Sequence, residues 1–194
     1  NNDDFNWTRQ TGPTPTDYTG PDMAYNGSYY LYAEADGHFN QTCKLLASFD
    51  FSGEDGLNYP ALSFWYHMYT YIYNCQLSVE VSTDGGNTWT EDWSVIGNKG
   101  TLWRNAIIDL SEYGQEPDVM IQFKAMIGDH ERSDIAIDYV EIYEQVPPVC
   151  SQALLPLDGE IDVNINTTLE WDLVDNANGY RLYFGTDSPP TNIE

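Results

Sequence analysis

The sequence is short of positive charge. Its 194 residues carry 7 Lys and Arg against 31 Asp and Glu, a formal net charge of −24. Nucleic-acid binding needs clustered Lys and Arg to displace counterions, and no such cluster occurs. Docking on an anionic membrane surface is excluded on the same ground. Long apolar runs are absent as well, so no segment is expected to insert into a membrane. The opening NNDDFNWTRQ has neither a basic nor an apolar region, so it is not a secretory leader. The expectation is that a leader was removed or that the chain is a piece of a longer protein.

Catalytic signatures are also missing. No G-x-S-x-G, H-E-x-x-H or Walker-type segment occurs. The three histidines, His38, His67 and His130, are scattered and make no catalytic set. With so many acids, two carboxylates close in sequence are no argument for glycoside hydrolysis. The region is therefore expected not to be catalytic itself. The parent protein is left open, with a secreted hydrolase or peptidase as one option.

Cysteine is scarce: Cys43, Cys75 and Cys150, with no C-x-x-C spacing, which argues against zinc. Cys43 and Cys75 fall in predicted strands of the first domain and are the candidate disulfide, with free thiols as the alternative. Cys150 lies in a proline-rich linker. It is free, or it pairs outside the chain.

Strand patterns are what the sequence has in abundance. In the stretch Ala61 to Trp89, Phe64, Tyr66 and Met68 alternate against Ser63, Trp65 and His67. Leu77, Val79 and Val81 then alternate against Ser78, Glu80 and Ser82. Period-2 alternation rich in aromatic and β-branched residues predicts half-buried strands. Further strands are predicted at 28–33, 43–51, 91–97, 102–110, 119–127 and 135–143. Residues 1–28, rich in Gly, Pro, Thr, Asn and Asp, have loop chemistry. Many short strands with no useful helical periodicity predict an all-β fold, an antiparallel sandwich. Pro147 and Pro148 mark a boundary. Two domains are expected, 1–145 and a truncated 146–194. In the second, Leu169, Trp171, Tyr180, Leu182 and Phe184 are expected to face a core.

Ser82–Trp89, STDGGNTW, fits the S-x-D-x-G-x-x-W pattern called an Asp box. The Asp carboxylate accepts turn amides, glycines permit positive φ and the Trp packs beneath. The pattern predicts a hairpin and says almost nothing about activity.

Four segments together resemble the MAM domain, the extracellular module named for meprin, A5 protein and receptor phosphatase mu. They are TGPTPTDYTGPDMAYNGSYYLYAEADG, FWYHMYTYIYNCQLSVEVS, GTLWRNAIIDL and DIAIDYVEI, in the family's order over about residues 3–144. Tyr18 replaces the His of the family's D-H-T, and Tyr139 replaces the second Asp of its closing D-D-I. The family's opening strand with its Cys-x-Phe-Glu motif is absent. Residues 146–194, with NTTLEW and GYRLYFGT, are similar to the start of a fibronectin type III-like module. That pairing looks like large secreted proteins of Bacteroidetes, exported by type IX secretion. The resemblance implies a jelly-roll sandwich, a secreted or cell-surface location and a non-catalytic role in adhesion or protein interaction. The alternative is a carbohydrate-binding accessory module of a secreted hydrolase or metallopeptidase. The expected partner is a protein or glycan at the cell surface.

Two candidate sites remain. In IAIDYVEIY the alternation slips around Asp138-Tyr139, which predicts a β-bulge. A buried Asp138 would need a partner. Calcium or sodium, shared with Asp134, Asp17, Glu34 or Asp4, would satisfy it, because hard cations take oxygen ligands. Asp17 and Asp138 match family positions and are expected to meet at an acidic edge; against this, Asp138 simply caps backbone amides. Trp7, Tyr18, Tyr25, Tyr69, Tyr71 and Tyr73 are the aromatics available to stack on sugars or anchor a protein, with Tyr69, Tyr71 and Tyr73 on one strand face. The competing expectation is that they cover the sandwich beneath a loop.

Overall fold

The computed structural model describes residues 3–71, 74–146, 153–156, 161–164, 166–175, 177 and 179. The chain divides into two units, Asn1–Gln145 and Val146–Glu194.

The first unit is an antiparallel sandwich. Its strands are β1 (Thr8–Gln10), β2 (Tyr30–Ala33), β3 (Thr42–Phe49), β4 (Pro60–His67), β5 (Gln76–Ser82), β6 (Thr90–Ile96), β7 (Arg104–Asp109), β8 (Val119–Met126) and β9 (Ile135–Glu144). A 3-10 turn, Ser111–Tyr113, follows β7. One sheet has the order β1-β2-β9-β4-β7, the other β3-β8-β5-β6. This is the all-β sandwich that the alternation predicted.

The inward faces are the ones the sequence pattern assigned. Phe64, Met68, Leu77, Val79, Val119 and Ala125 are fully buried. Phe64 joins the sheets, meeting Phe123 and Trp93 edge-on at 4.8 and 5.2 Å between ring centroids. Fully burying each such large side chain is worth roughly 1.5–3 kcal/mol.

The predicted bulge is present. Trp65 pairs with Asp138 and Ser63 with Glu141, so Phe64 faces two residues of β9. Tyr139 absorbs the extra residue at φ 49°. The Asp box forms its hairpin: Asp84 accepts from Ser82 Oγ, Thr88 N and Thr88 Oγ1, and Trp89 Nε1 donates to Gly86 O at 3.0 Å.

Four expectations need correction. Cys43 and Cys75 are free, buried thiols. Cys43 lies on β3, Cys75 precedes β5, and β8 runs between them. Two strand spacings, roughly 9–10 Å, exceed the reach of a disulfide. Burial pushes both thiols up from their ordinary pKa. Secondly, β1 forms within the segment expected to be loop, at the edge beside β2. Thirdly, β4 ends at His67, so Tyr69 and Tyr71 are loop residues with no shared strand face. Backbone groups there bond to other loops: Lys99 N donates to Met68 O and Tyr71 N to Arg132 O. Fourthly, Trp7 is half-buried and packs against the core. Cys150 and Tyr73 lie outside the described residues.

Strand ends gather the described parts of four connections, 34–41, 68–71 with 74–75, 97–103 and 127–134, at one end of the sandwich. Ile127 N donates to Gln41 O there, beside the Lys99–Met68 and Tyr71–Arg132 bonds. Residues 11–28, between β1 and β2, fold over the outer face of the five-stranded sheet. Ala24 and Trp103 pack on Tyr30, Tyr32 and Ala136, a second apolar cluster outside the main core.

In the second unit, Ala153–Leu155 (β10) pairs antiparallel with Glu170–Trp171 (β11). Leu169 and Trp171 are each 40% exposed, contrary to the expected core positions. Tyr180, Leu182 and Phe184 lie outside the described residues.

Candidate functional site

The loop end holds three adjoining features, and Thr19 ties them together. Its hydroxyl donates to Tyr69 O at 3.0 Å and accepts Asp134 N at 3.0 Å. Thr14 Oγ1 donates to Thr19 O at 3.2 Å. Gly20, at φ +60°, lies against Thr14 so closely that a Cβ would strike its side chain. Only glycine fits that turn.

The first feature is a carboxylate pair, Asp134 buried and Glu34 half-buried. Asp134 begins the entry to β9 and is fully buried. Its Oδ1 accepts the Ala35 amide at 2.9 Å, while Oδ2 has no hydrogen-bond donor. Thr14 lies beside it but spends its proton on Thr19. Glu34, just past β2, accepts from Tyr32 Oη at 3.1 Å and from Asp36 N at 3.2 Å. Burial, and then the charge of Glu34, push the Asp134 carboxyl up to about 7. Tyr32 is pushed up by its own burial and by Glu34.

Of the five expected cation ligands, the structure brings Glu34 and Asp134 together and gives the other three different tasks. Asp138 accepts the Asn26 amide at 2.9 Å and the Tyr139 amide at 2.7 Å. It therefore fastens residues 11–28 and the bulge. Asp4 accepts the Thr42 amide at 2.8 Å at the edge of the other sheet. Asp17 lines a separate cleft whose lining does not include Asp138. Among the described residues, no three His, Cys, Asp or Glu gather as a metal cluster. Glu34 and Asp134 nonetheless offer oxygen donors of the kind a hard cation takes, and the orphaned Oδ2 is the observation that fits one.

The second feature is that cleft, about 370 Å³, lined by Asp17, Tyr18, Thr19, Gly20, Asp22, His67, Tyr69 and Thr101. His67 is 2% exposed and meets Trp103 edge-on at 5.5 Å. Burial lowers its pKa; the hydrogen bond to the Thr101 backbone and the charge of Asp22 oppose this. Its Nδ1 is buried and has no partner. The cleft beside this buried histidine was not visible in the sequence.

The third feature is aromatic. Tyr18 and Tyr71 are 69% and 70% exposed. The Arg132 guanidinium lies over Tyr18 at 4.9 Å, and Tyr71 tilts against His130 at 5.1 Å. With Tyr69, Thr70 and Asn98 they line a shallow cleft of about 370 Å³. Tyr25 instead covers the sheet, lying flat on Trp65.

Sequence reasoning named Asp17, Glu34, Asp134, Tyr18, Tyr69 and Tyr71, but missed Thr19, Asp22 and Arg132. No local signal marks them: a Thr in a loop shows its double bonding only once residues 19, 69 and 134 are close. Asp22 is one acid among many.

Comparisons with known proteins agree with the fold. The chain is 28% identical over 182 residues to Neuropilin-1a of Danio rerio, covering 89% of this chain and 19% of that protein. It is 31% identical over 150 residues to MAM domain-containing glycosylphosphatidylinositol anchor protein 1 of Homo sapiens, covering 72% of this chain and 15% of that protein. The chain thus spans about a fifth or less of the length of these relatives. Among solved structures, the K2 cleaved adhesin domain of Lys-gingipain superposes with a TM-score of 0.51 at 13% identity, covering 71% of this chain and 83% of that one, a likeness of fold alone. The family profile described as MAM domain, meprin/A5/mu, matches residues 1–147, so the chain belongs to the MAM domain family.

Proposed function

We propose that the first unit is a non-catalytic extracellular module for adhesion or protein interaction, carried by a larger secreted or surface-anchored protein, and that it works through its loop end. The observation that carries this reading is the pair Tyr18 and Tyr71, both largely exposed and flanking Arg132 on a rigid sandwich. Exposed aromatics with arginine are the side chains that dominate protein interfaces. The test is bead aggregation by the full chain, compared with a Tyr18→Ala/Tyr71→Ala variant of unchanged melting temperature. Loss of aggregation in the variant is expected; equal aggregation by both would overturn the reading.

A second reading, a carbohydrate-binding accessory module, draws on the same shallow cleft. Its tyrosine faces lie beside the Asn98 amide and the Arg132 guanidinium, a combination that suits a sugar ring. Glycan-array binding that the double variant loses, without self-association, would favour it. Glu34 and Asp134 are proposed to hold a structural hard cation, calcium first. The second unit is proposed as the start of a fibronectin type III-like module, and the whole as the bacterial secreted type. The NTTLEW and GYRLYFGT segments support this, and the structure of a longer chain without a fibronectin-like sandwich after residue 146 would overturn it.

A further inference from the structure

The cleft around His67 differs from the aromatic one beside it in carrying two carboxylates and a buried, unpartnered imidazole nitrogen. The His67 hydrogen bond to the Thr101 backbone favours the protonated ring, so the ring donates there. A neutral imidazole that donates through one nitrogen presents the other as an acceptor. Nδ1 is that nitrogen, buried and unpartnered in a side chain 2% exposed that lines the cleft. Asp17 and Asp22 supply carboxylates at the same cleft, and among the described residues neither is ion-paired. Tyr18 and Tyr69 supply aromatic walls. An occupant with an N–H donor would satisfy Nδ1, and the two exposed carboxylates, neither held in an ion pair, favour a cationic donor over a neutral one. Tyr18 already carries a guanidinium, that of Arg132, against its ring.

We propose that the cleft lined by Asp17, Asp22, His67, Tyr18 and Tyr69 is a binding site for an ammonium or guanidinium group, presented as a Lys or Arg side chain by a protein partner. The proposal deepens the protein-interaction reading and rests on it for the source of the cation.

The test uses the full ¹⁵N-labelled chain at about 0.15 M salt, where diffuse attraction to the acidic surface is screened. Probes are the blocked tripeptides acetyl-Gly-Lys-Gly-amide and acetyl-Gly-Arg-Gly-amide, the Nε-acetyl-lysine version of the first, and glucosamine. Expected are saturable shifts confined to residues 17–22, 67–69 and 101, with a dissociation constant on the order of millimolar. Acetylation of the probe should abolish them. Asp22→Asn, at an exposed side chain, should keep the parent melting temperature and weaken binding about fivefold, the effect of losing one solvent-facing ion pair. Asp55→Asn, at an acid outside the cleft, should not. Shifts scattered over the acidic surface, equal binding of the acetylated probe, indifference to Asp22→Asn, or tighter binding of glucosamine than of either basic peptide would each overturn the proposal. The bead-aggregation result is independent: binding of the peptides without aggregation leaves the cleft standing and removes the adhesive reading.

Discussion

Tyr25 lies flat on Trp65, with ring centroids 3.7 Å apart and planes 12° from parallel. The two belong to distant parts of the chain, the connection before β2 and the middle of β4. Their stacking, with the Asn26–Asp138 and Trp103–Met23 hydrogen bonds, makes residues 11–28 a cover over the five-stranded sheet. Tyr25→Ala removes the stack while leaving the main core intact. The expected cost is about 1–2 kcal/mol, the worth of an aromatic pair plus part of a ring's burial. Hydrogen exchange checks the location: the Asn26 amide should exchange faster, while amides of Leu62 and Phe64 keep their protection.

Asp134 gives the fold a pH dependence of unusual sign for an acid. Its folded-state pKa is raised from 3.8 to about 7, chiefly by burial. Between those values the folded chain holds a proton that the unfolded chain has released, so stability falls as pH rises through the window. The contribution is fully present below about pH 4 and lost above about pH 7. A cation beside Oδ2 would replace the proton, so calcium should raise the melting temperature at pH 7.5 much more than at pH 4. Asp134→Asn should flatten the slope and remove the calcium response. A calcium response that survives in Asp134→Asn would place the ion elsewhere.

The sandwich was legible because its pattern is local. The core face of β4 follows from the alternation of Phe64, Tyr66 and Met68, and the bulge follows from the slip between Ile137 and Val140. The site was legible only in part. Glu34 and Asp134 appeared in a set of five acids, because a sequence of net charge −24 offers no local means of choosing among its carboxylates. What sets Asp134 apart is burial, with Thr14 and Thr19 folding over it from the connection before β2, and Glu34 is its half-buried neighbour. The cysteines show the same limit. Cys43 lies in a strand as expected and Cys75 falls just short of one, but the intervening β8 depends on sheet order, which alternation does not encode.

The Asp box hairpin supplies a prediction of opposite sign. Asp84 Oδ1 accepts from Ser82 Oγ at 2.7 Å and Thr88 N at 2.9 Å, and Oδ2 from Thr88 Oγ1 at 2.7 Å. The Thr88 amide, followed by the hydroxyls of Thr88 and Ser82, lowers its pKa from 3.8 to about 2. A depressed carboxylate stabilises the fold above the unfolded value and stops doing so as pH falls through about 2. Asp84→Asn should lower the melting temperature at pH 7 and remove this residue's share of the loss between pH 4 and pH 2. The difference between variant and parent should therefore shrink on acidification, which a melting series over that range measures.

The outer face of the four-stranded sheet carries a polar network where an exposed sheet would ordinarily show solvated side chains. Glu80 is 9% exposed and Gln122 only 2%. Glu80 accepts from the Gln122 amide through one oxygen and from Lys124 Nζ at 2.7 Å through the other. Lys124 is 36% exposed, so water can replace its half of the arrangement. Gln122 has no such recourse. Glu80→Ala should therefore cost about 1–3 kcal/mol, mostly from the stranded Gln122 amide rather than from the lost ion pair. Lys124→Met tests that division, because it removes the charge and leaves the Gln122–Glu80 bond in place. It should cost well under half as much in urea unfolding. If the two variants lose equal stability, the ion pair rather than the buried amide holds this face together.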